Sequence, residues 1–258
     1  MHTAVDYQVA LIEQNRLFTE AVFSAESETP ISTCPGWTMR HLIRHVGRAH
    51  RWAALIISTG ADVTLDPRTV PEGRPPDEAD GARAWLLACP QVLFKAVADA
   101  GGTEVTVATF DGPHPAWWWI RRLLHESTVH RADAVLAVGE QYELAPEMAA
   151  DGIDEWLGRL ALRPWPGGLP IEDGEAVTLI ATDVDLSWSM LGRGDSLQFL
   201  RNSTDSLDGV QLTAKATDLF LALLRRRDVE DAECRVEGDP NSWKTFLALT
   251  PYAAPGTE

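Results

Sequence analysis

The hydrophobic period changes once along this chain, and that change constrains the fold more than any other feature. Through residue 138 apolar side chains recur at helical spacing; beyond the Pro/Gly-rich stretch "RPWPGGLP" they alternate in runs rich in β-branched residues. A helical period cannot lie flat on a sheet, and strict alternation cannot line one face of a helix. Two bodies of different class are therefore predicted: a helical domain over residues 1–162 and a smaller α+β domain over residues 163–258.

Four helical segments fill the first body. Residues 6–25 carry Val9, Ile12, Leu17 and Ala21 as a stripe and end in a loop containing Pro30, Pro35 and Gly36. Thr38 is placed to cap the second helix, "MRHLIRHVGRAHRWAALIIST", whose stripe is Met39, Leu42, Val46, Ala49, Ala53 and Ile57 and which stops at Gly60. The third, "DEADGARAWLLACPQVLFKAVADA", is predicted to kink or break at Pro90. A short extended excursion in "GGTEVTVATFDGPHP" leads to the fourth, residues 116–138, closed by Gly139. The aromatics of "WWWIRRLL" at its start read as ordinary core and rim residues. No element is assigned to residues 140–162. Long helices joined by loops make a bundle, and facing helices of a bundle can build a metal site between them.

In the second body "EAVTLIATDVDLSWSML" holds two strands, and "SLQFLRN" and "GVQLTAKAT" one each. "DLFLALLRRR" is a helix, "ECRVEG" a short strand and "SWKTFLAL" a short helix. The run Arg225, Arg226, Arg227 reads as a helix C-terminus favoured by the dipole.

With 258 residues, 45% of them hydrophobic, the chain can bury a large core. A formal charge of -16 sets up a field that repels nucleic acid and anionic lipid, so neither is expected as a partner. No apolar run is long enough to span a membrane, and "MHTAVDYQVALIEQ" lacks the regions of a signal peptide, so a cytoplasmic protein is expected. Cys34, Cys89 and Cys234 are an odd set without C-x-x-C pairing, which fits a reducing compartment and argues against a thiolate zinc site. Each reads as a buried or incidental cysteine rather than a nucleophile.

The stretch "RRLLHESTVHRADA" looks at first like the metalloprotease motif H-E-x-x-H, but His125 and His130 are five apart and so about 140° apart on a helix. The pair that shares a face is Glu126 and His130, about 40° apart, which can supply two zinc ligands or a plain surface pair. His125 falls opposite. A third ligand has candidates on the second helix, where His50 lies about 50° from the centre of the apolar stripe, His45 about 90° away on the flank, and His41 outward. Periodicity alone does not favour His45.

"CPGWTMRHLIRHVGRAH" together with "HESTVHRADA" resembles the mycothiol-dependent maleylpyruvate isomerase family, whose N-terminal domain is a DinB-like four-helix bundle. "TDVDLSWSML", "KATDLFLALLRRR" and "CRVEGD" resemble that family's smaller C-terminal α+β domain. Carried over by position, the resemblance implies zinc, or another divalent cation, on His45, Glu126 and His130. Periodicity dissents in favour of His50. Three protein ligands leave an open position, as in catalytic zinc sites. Asp133, one turn past His130, is either an orienting partner for that imidazole or a solvent-exposed carboxylate.

The resemblance further implies mycothiol as a thiol cosubstrate. A coordinated thiol is deprotonated outright, so the attacking sulfur comes from outside the protein. In the isomerase the thiolate adds to a conjugated double bond of a small electrophile, the bond rotates, and elimination returns the thiol; in an S-transferase the sulfur stays attached. Two further readings stand beside these: a zinc-hydroxide hydrolase on the same site, separated by its independence of thiol, and a metal- or ligand-binding module without turnover.

Overall fold

The computed structural model of the chain describes residues 5–203, 208–231 and 233–250. It divides into two compact units, one ending at Tyr142 and the other beginning at Glu143. The first contains helices α1 (Tyr7–Val22), α2 (Met39–Thr59), α3 (Ala79–Leu87), α4 (Cys89–Asp99) and α5 (Trp117–Ala137), with a hairpin of β1 (Thr106–Thr109) and β2 (Gly112–Pro115) before α5.

Local chemistry sets these boundaries. Asp6 caps α1 by accepting from the N–H groups of Gln8 at 3.1 Å and Val9 at 3.2 Å. On α2 the backbone N–H of Thr38 donates to His41 Nδ1 at 3.0 Å, so a histidine occupies the place that Glu or Gln takes in the usual capping box. Gly60 closes the same helix in the left-handed region, at φ 67°. The third helix is broken at Ala88, because Pro90 has no N–H for a continuous ladder and instead sits in the first turn of α4. The bundle thus has four helical rods, the third in two pieces.

Its core gathers Phe18, Val22, Ile31, Met39, Leu42, Ile43, Val46, Trp85, Leu86, Cys89 and Ala134. Each large aliphatic or aromatic side chain so buried contributes about 1.5–3 kcal/mol. On α1 the buried face runs through Leu11, Phe18 and Val22 with Asn15 and Thr19, whereas Val9 and Ile12 are exposed. This corrects the expected stripe of Val9, Ile12, Leu17 and Ala21; two overlapping apolar sets compete on this helix, and the set containing Phe18 buries more area. Gly47 on α2 is the floor on which Trp85 lies, and any Cβ there would stand 1.9 Å from the indole. The tryptophans of α5 dock the hairpin, with Trp119 Nε1 donating to Ala108 O at 2.9 Å and Trp52 meeting Trp119 edge to face at 5.5 Å.

The second unit opens with α6 (Pro146–Leu162), the element the sequence left unassigned. A five-stranded sheet follows, of β3 (Glu175–Ala181), β4 (Ser187–Arg193), β5 (Ser196–Arg201), β6 (Asp208–Ala214) and β7 (Arg235–Gly238), in the order β5-β4-β3-β6-β7. The β3–β6 pair is parallel and sets Val177 against Val210 and Leu179 against Leu212, while β3–β4, β4–β5 and β6–β7 are antiparallel. Helix α7 (Ala216–Leu223) follows β6 and helix α8 (Pro240–Leu249) follows β7 in sequence. The arginine run ends α7, where Arg227 pairs with Asp218 at 2.6 Å, Arg226 donates to Leu224 O and Arg225 to Thr250 O. Helix α6 belongs to this unit and holds the sheet, with Asp154 accepting from Trp188 Nε1 at 2.8 Å and pairing with Arg201 at 3.2 Å. The break between units therefore precedes "RPWPGGLP" rather than coinciding with it.

Candidate metal centre

The site lies in the bundle, where the loop before α2, α2 itself and α5 meet. The loop is "TCPGW": Pro35 fixes the first corner, Gly36 takes φ 86°, and Trp37 N–H returns to Cys34 O at 2.9 Å, which is a type II turn. It delivers the Trp37 indole against two imidazoles, 4.9 Å from the His45 ring and stacked at 5.9 Å on the His130 ring.

His45 from α2 and Glu126 and His130 from α5 are brought together, with their ligand atoms all within 4.8 Å of one another. Glu126 Oε1 lies 2.8 Å from His45 Nε2 and 3.3 Å from His130 Nε2. Its other oxygen, Oε2, is taken by the Arg122 guanidinium one turn earlier. Behind His130, Nδ1 donates to Asp133 Oδ2 at 2.7 Å. Asp133 is fully buried, not solvent-exposed, and its Oδ1 accepts from Thr33 Oγ1 at 2.5 Å. The Cys34 thiol approaches Oδ2 at 3.5 Å. Exposure is graded across the cluster: the His45 side chain is 33% exposed, Glu126 14% and His130 4%.

The electrostatics follow from this packing. Burial works to raise the Glu126 carboxyl, but the charge of Arg122 and hydrogen bonds from His130 and His45 hold it well below the usual carboxylate range. Burial also works to lower His130, yet hydrogen bonds with Asp133, Cys34 and Glu126 raise it well above the ordinary imidazole value.

Two imidazole nitrogens and one carboxylate oxygen form a borderline donor set of the kind that suits zinc, and the carboxylate behind His130 is the usual means of fixing a ligating ring. A second group, Cys34, His130 and Asp133, is also close enough to share a cation. It is walled in, because Asp133 has no exposure and both of its oxygens already accept hydrogen bonds. The first group has His45 on its open side, which a cation with an exchangeable position requires.

The other histidines are accounted for separately. His50 is fully buried with Nε2 at 3.3 Å from Ser127 Oγ, and burial with the charge of Arg51 lowers its pKa to about 3. It is a neutral core residue outside the cluster. His41 is engaged at the N-terminus of α2. His125 lies off the cluster but is itself buried, so its side of α5 is packed rather than solvated.

Comparison with known proteins identifies the family. Residues 9–135 match the mycothiol maleylpyruvate isomerase N-terminal domain, and residues 147–245 match the MDMPI C-terminal domain. The chain belongs to the mycothiol maleylpyruvate isomerase family. No curated protein sequence matches it. Among solved structures it is similar to the crystal structure of the mycothiol-dependent maleylpyruvate isomerase, with a TM-score of 0.60 at 13% identity over 89% of this chain and 91% of that one. A histidine-to-alanine mutant of that isomerase matches with the same TM-score of 0.60 and the same 13% identity. At such identity the likeness speaks for the fold of the family. The boundary between the two matched domains, after residue 135 and before residue 147, brackets the division at Tyr142.

Four participants carry no assignment from the sequence. Arg122 had a visible signal, since it lies four residues before Glu126 on the same face. Trp37 lies inside the motif "CPGWTMRHLIRHVGRAH" and carries no spacing signal of its own. Thr33 and Cys34 had no local signal, because their partner Asp133 is 100 and 99 residues away.

Proposed function

We propose that this chain is a zinc-dependent enzyme that uses mycothiol to act on a small electrophile, by maleylpyruvate-type cis–trans isomerisation or by S-transfer. Family membership supports the class of reaction. The observation that carries the metal reading is the single oxygen, Glu126 Oε1, standing within 2.8 Å of His45 Nε2 and 3.3 Å of His130 Nε2. His45, Glu126 and His130 would hold the ion, and zinc there would supply a Lewis acid able to keep a small-molecule thiol as its thiolate at neutral pH.

The chain's own residues define what surrounds that thiol. Asp133 holds the His130 ring by Nδ1, which leaves Nε2 as the ligating nitrogen. Trp37 covers both imidazoles with an apolar face and keeps water from that side. None of the cysteines is needed as a nucleophile. Burial pushes the Cys89 thiol up to about 11, which keeps it protonated at neutral pH.

Metal content and turnover of maleylpyruvate, with and without mycothiol, test the reading. One equivalent of zinc and thiol-dependent turnover are expected, with both lost in His45→Ala while the helical circular dichroism is kept. Protein that takes up no zinc sinks the site, and full turnover without thiol moves the assignment to zinc-hydroxide hydrolysis.

A further inference from the structure

Glu126 divides its two oxygens between different partners. Oε1 meets His45 at 2.8 Å and His130 at 3.3 Å, whereas Oε2 is engaged by Arg122 Nη2. We propose that Arg122 is a positioning residue that fixes Glu126 as a one-oxygen metal donor and so keeps the remaining coordination positions open. This rests on the metal reading above.

The pair is poorly explained as a helix stabiliser. Arg122 and Glu126 are i,i+4 neighbours, but the favourable order along a helix has the acidic residue first, and here the arginine comes first. Arg122 is also buried, its side chain 8% exposed, and withdrawing a guanidinium from water costs more than an ordinary surface pair returns. What the arrangement does achieve is orientation. A guanidinium is planar, permanently charged and rigid in its donor directions, so it holds Oε2 whenever Glu126 is ionised. A lysine on its flexible stem would hold it less well. A carboxylate left free beside a cation can turn and chelate it through both oxygens, filling a position that an incoming thiol needs. With Oε2 tied back along α5, that rotation is blocked, and Oε1 is the oxygen presented to the two imidazoles.

The test loads metal-free protein with Co2+, whose visible absorption is intense when it is four-coordinate and weak at higher coordination number. Wild type is expected to bind one equivalent with intense bands. Arg122→Met is expected to bind one equivalent with most of that intensity lost, as Glu126 chelates. A variant that keeps the wild-type spectrum overturns the proposal. X-ray absorption on zinc-loaded wild type gives an answer even if the variant does not fold: one carboxylate oxygen in the coordination sphere supports the proposal, and a chelating carboxylate overturns it. Failure of wild type to take up either ion instead refutes the metal site itself.

Discussion

In the metal-free protein His130 faces Asp133 through Nδ1 and Glu126 through Nε2, and these partners raise its pKa and favour the protonated ring. Zinc needs the Nε2 lone pair, so binding has to expel that proton. Glu126, held well below the carboxylate range, has none to give up, and His50, lowered to about 3, is already neutral. Zinc uptake at pH 7 is therefore expected to release a proton from His130 and to tighten as pH rises towards the raised pKa. Calorimetry in two buffers of different ionisation enthalpy counts the protons; a count of zero would mean that the ring is neutral before metal arrives. At this scale the sequence was partly legible. The helical offset joined Glu126 to His130 and set His125 apart, and both relations are present. For α2 the same arithmetic ranked histidines by burial and favoured His50, which is indeed the most buried. It is His45, the residue that family resemblance rather than period singles out, that stands at the rim of the core and meets Glu126 at 2.8 Å.

Among the elements, α2 is the most tightly specified. Trp85 lies on Gly47 with its Nε1 donating to Glu72 O at 2.9 Å and the Arg51 guanidinium 4.0 Å over its ring, so it has little freedom to retreat. Gly47→Ala would place a methyl 1.9 Å from that ring, and the expected cost is about 1–3 kcal/mol or more despite the gain in helix propensity. Denaturant unfolding of the metal-free protein measures it, and an unchanged midpoint would show that the indole can move aside. Capping and breaking were legible wherever one residue decides the outcome: Thr38 and Gly60 bound α2, and Pro90 divides α3 from α4. Helix α6 was missed although Pro146 and Glu147 open it and Ile153, Trp156, Leu157 and Leu160 recur at helical spacing. Gly152 and Gly158 weaken its local propensity, and the sheet-bearing unit supplies the burial that makes the helix.

Across the whole molecule, every residue placed at the candidate metal centre precedes Tyr142. Residues 1–142 expressed alone are expected to take up one equivalent of zinc, measured by metal analysis alongside circular dichroism. A fragment that is helical yet metal-free would show that the second unit is required to build the site. The change of hydrophobic period announced two bodies and their classes, but the division itself depends on which side α6 packs, a property of tertiary contacts that period does not encode. Distance along the chain hides one further relation. Asp133 spends one oxygen on Thr33 and the other on His130, partners that lie on opposite sides of the fold's connectivity. The loop and the His130 ring are thereby joined through one carboxylate, so a change in the order of one is felt by the other. An occupant that pulls the "TCPGW" turn away from α5 loosens the imidazole beneath it. The turn is thus a handle on the His130 ring as well as a wall beside it.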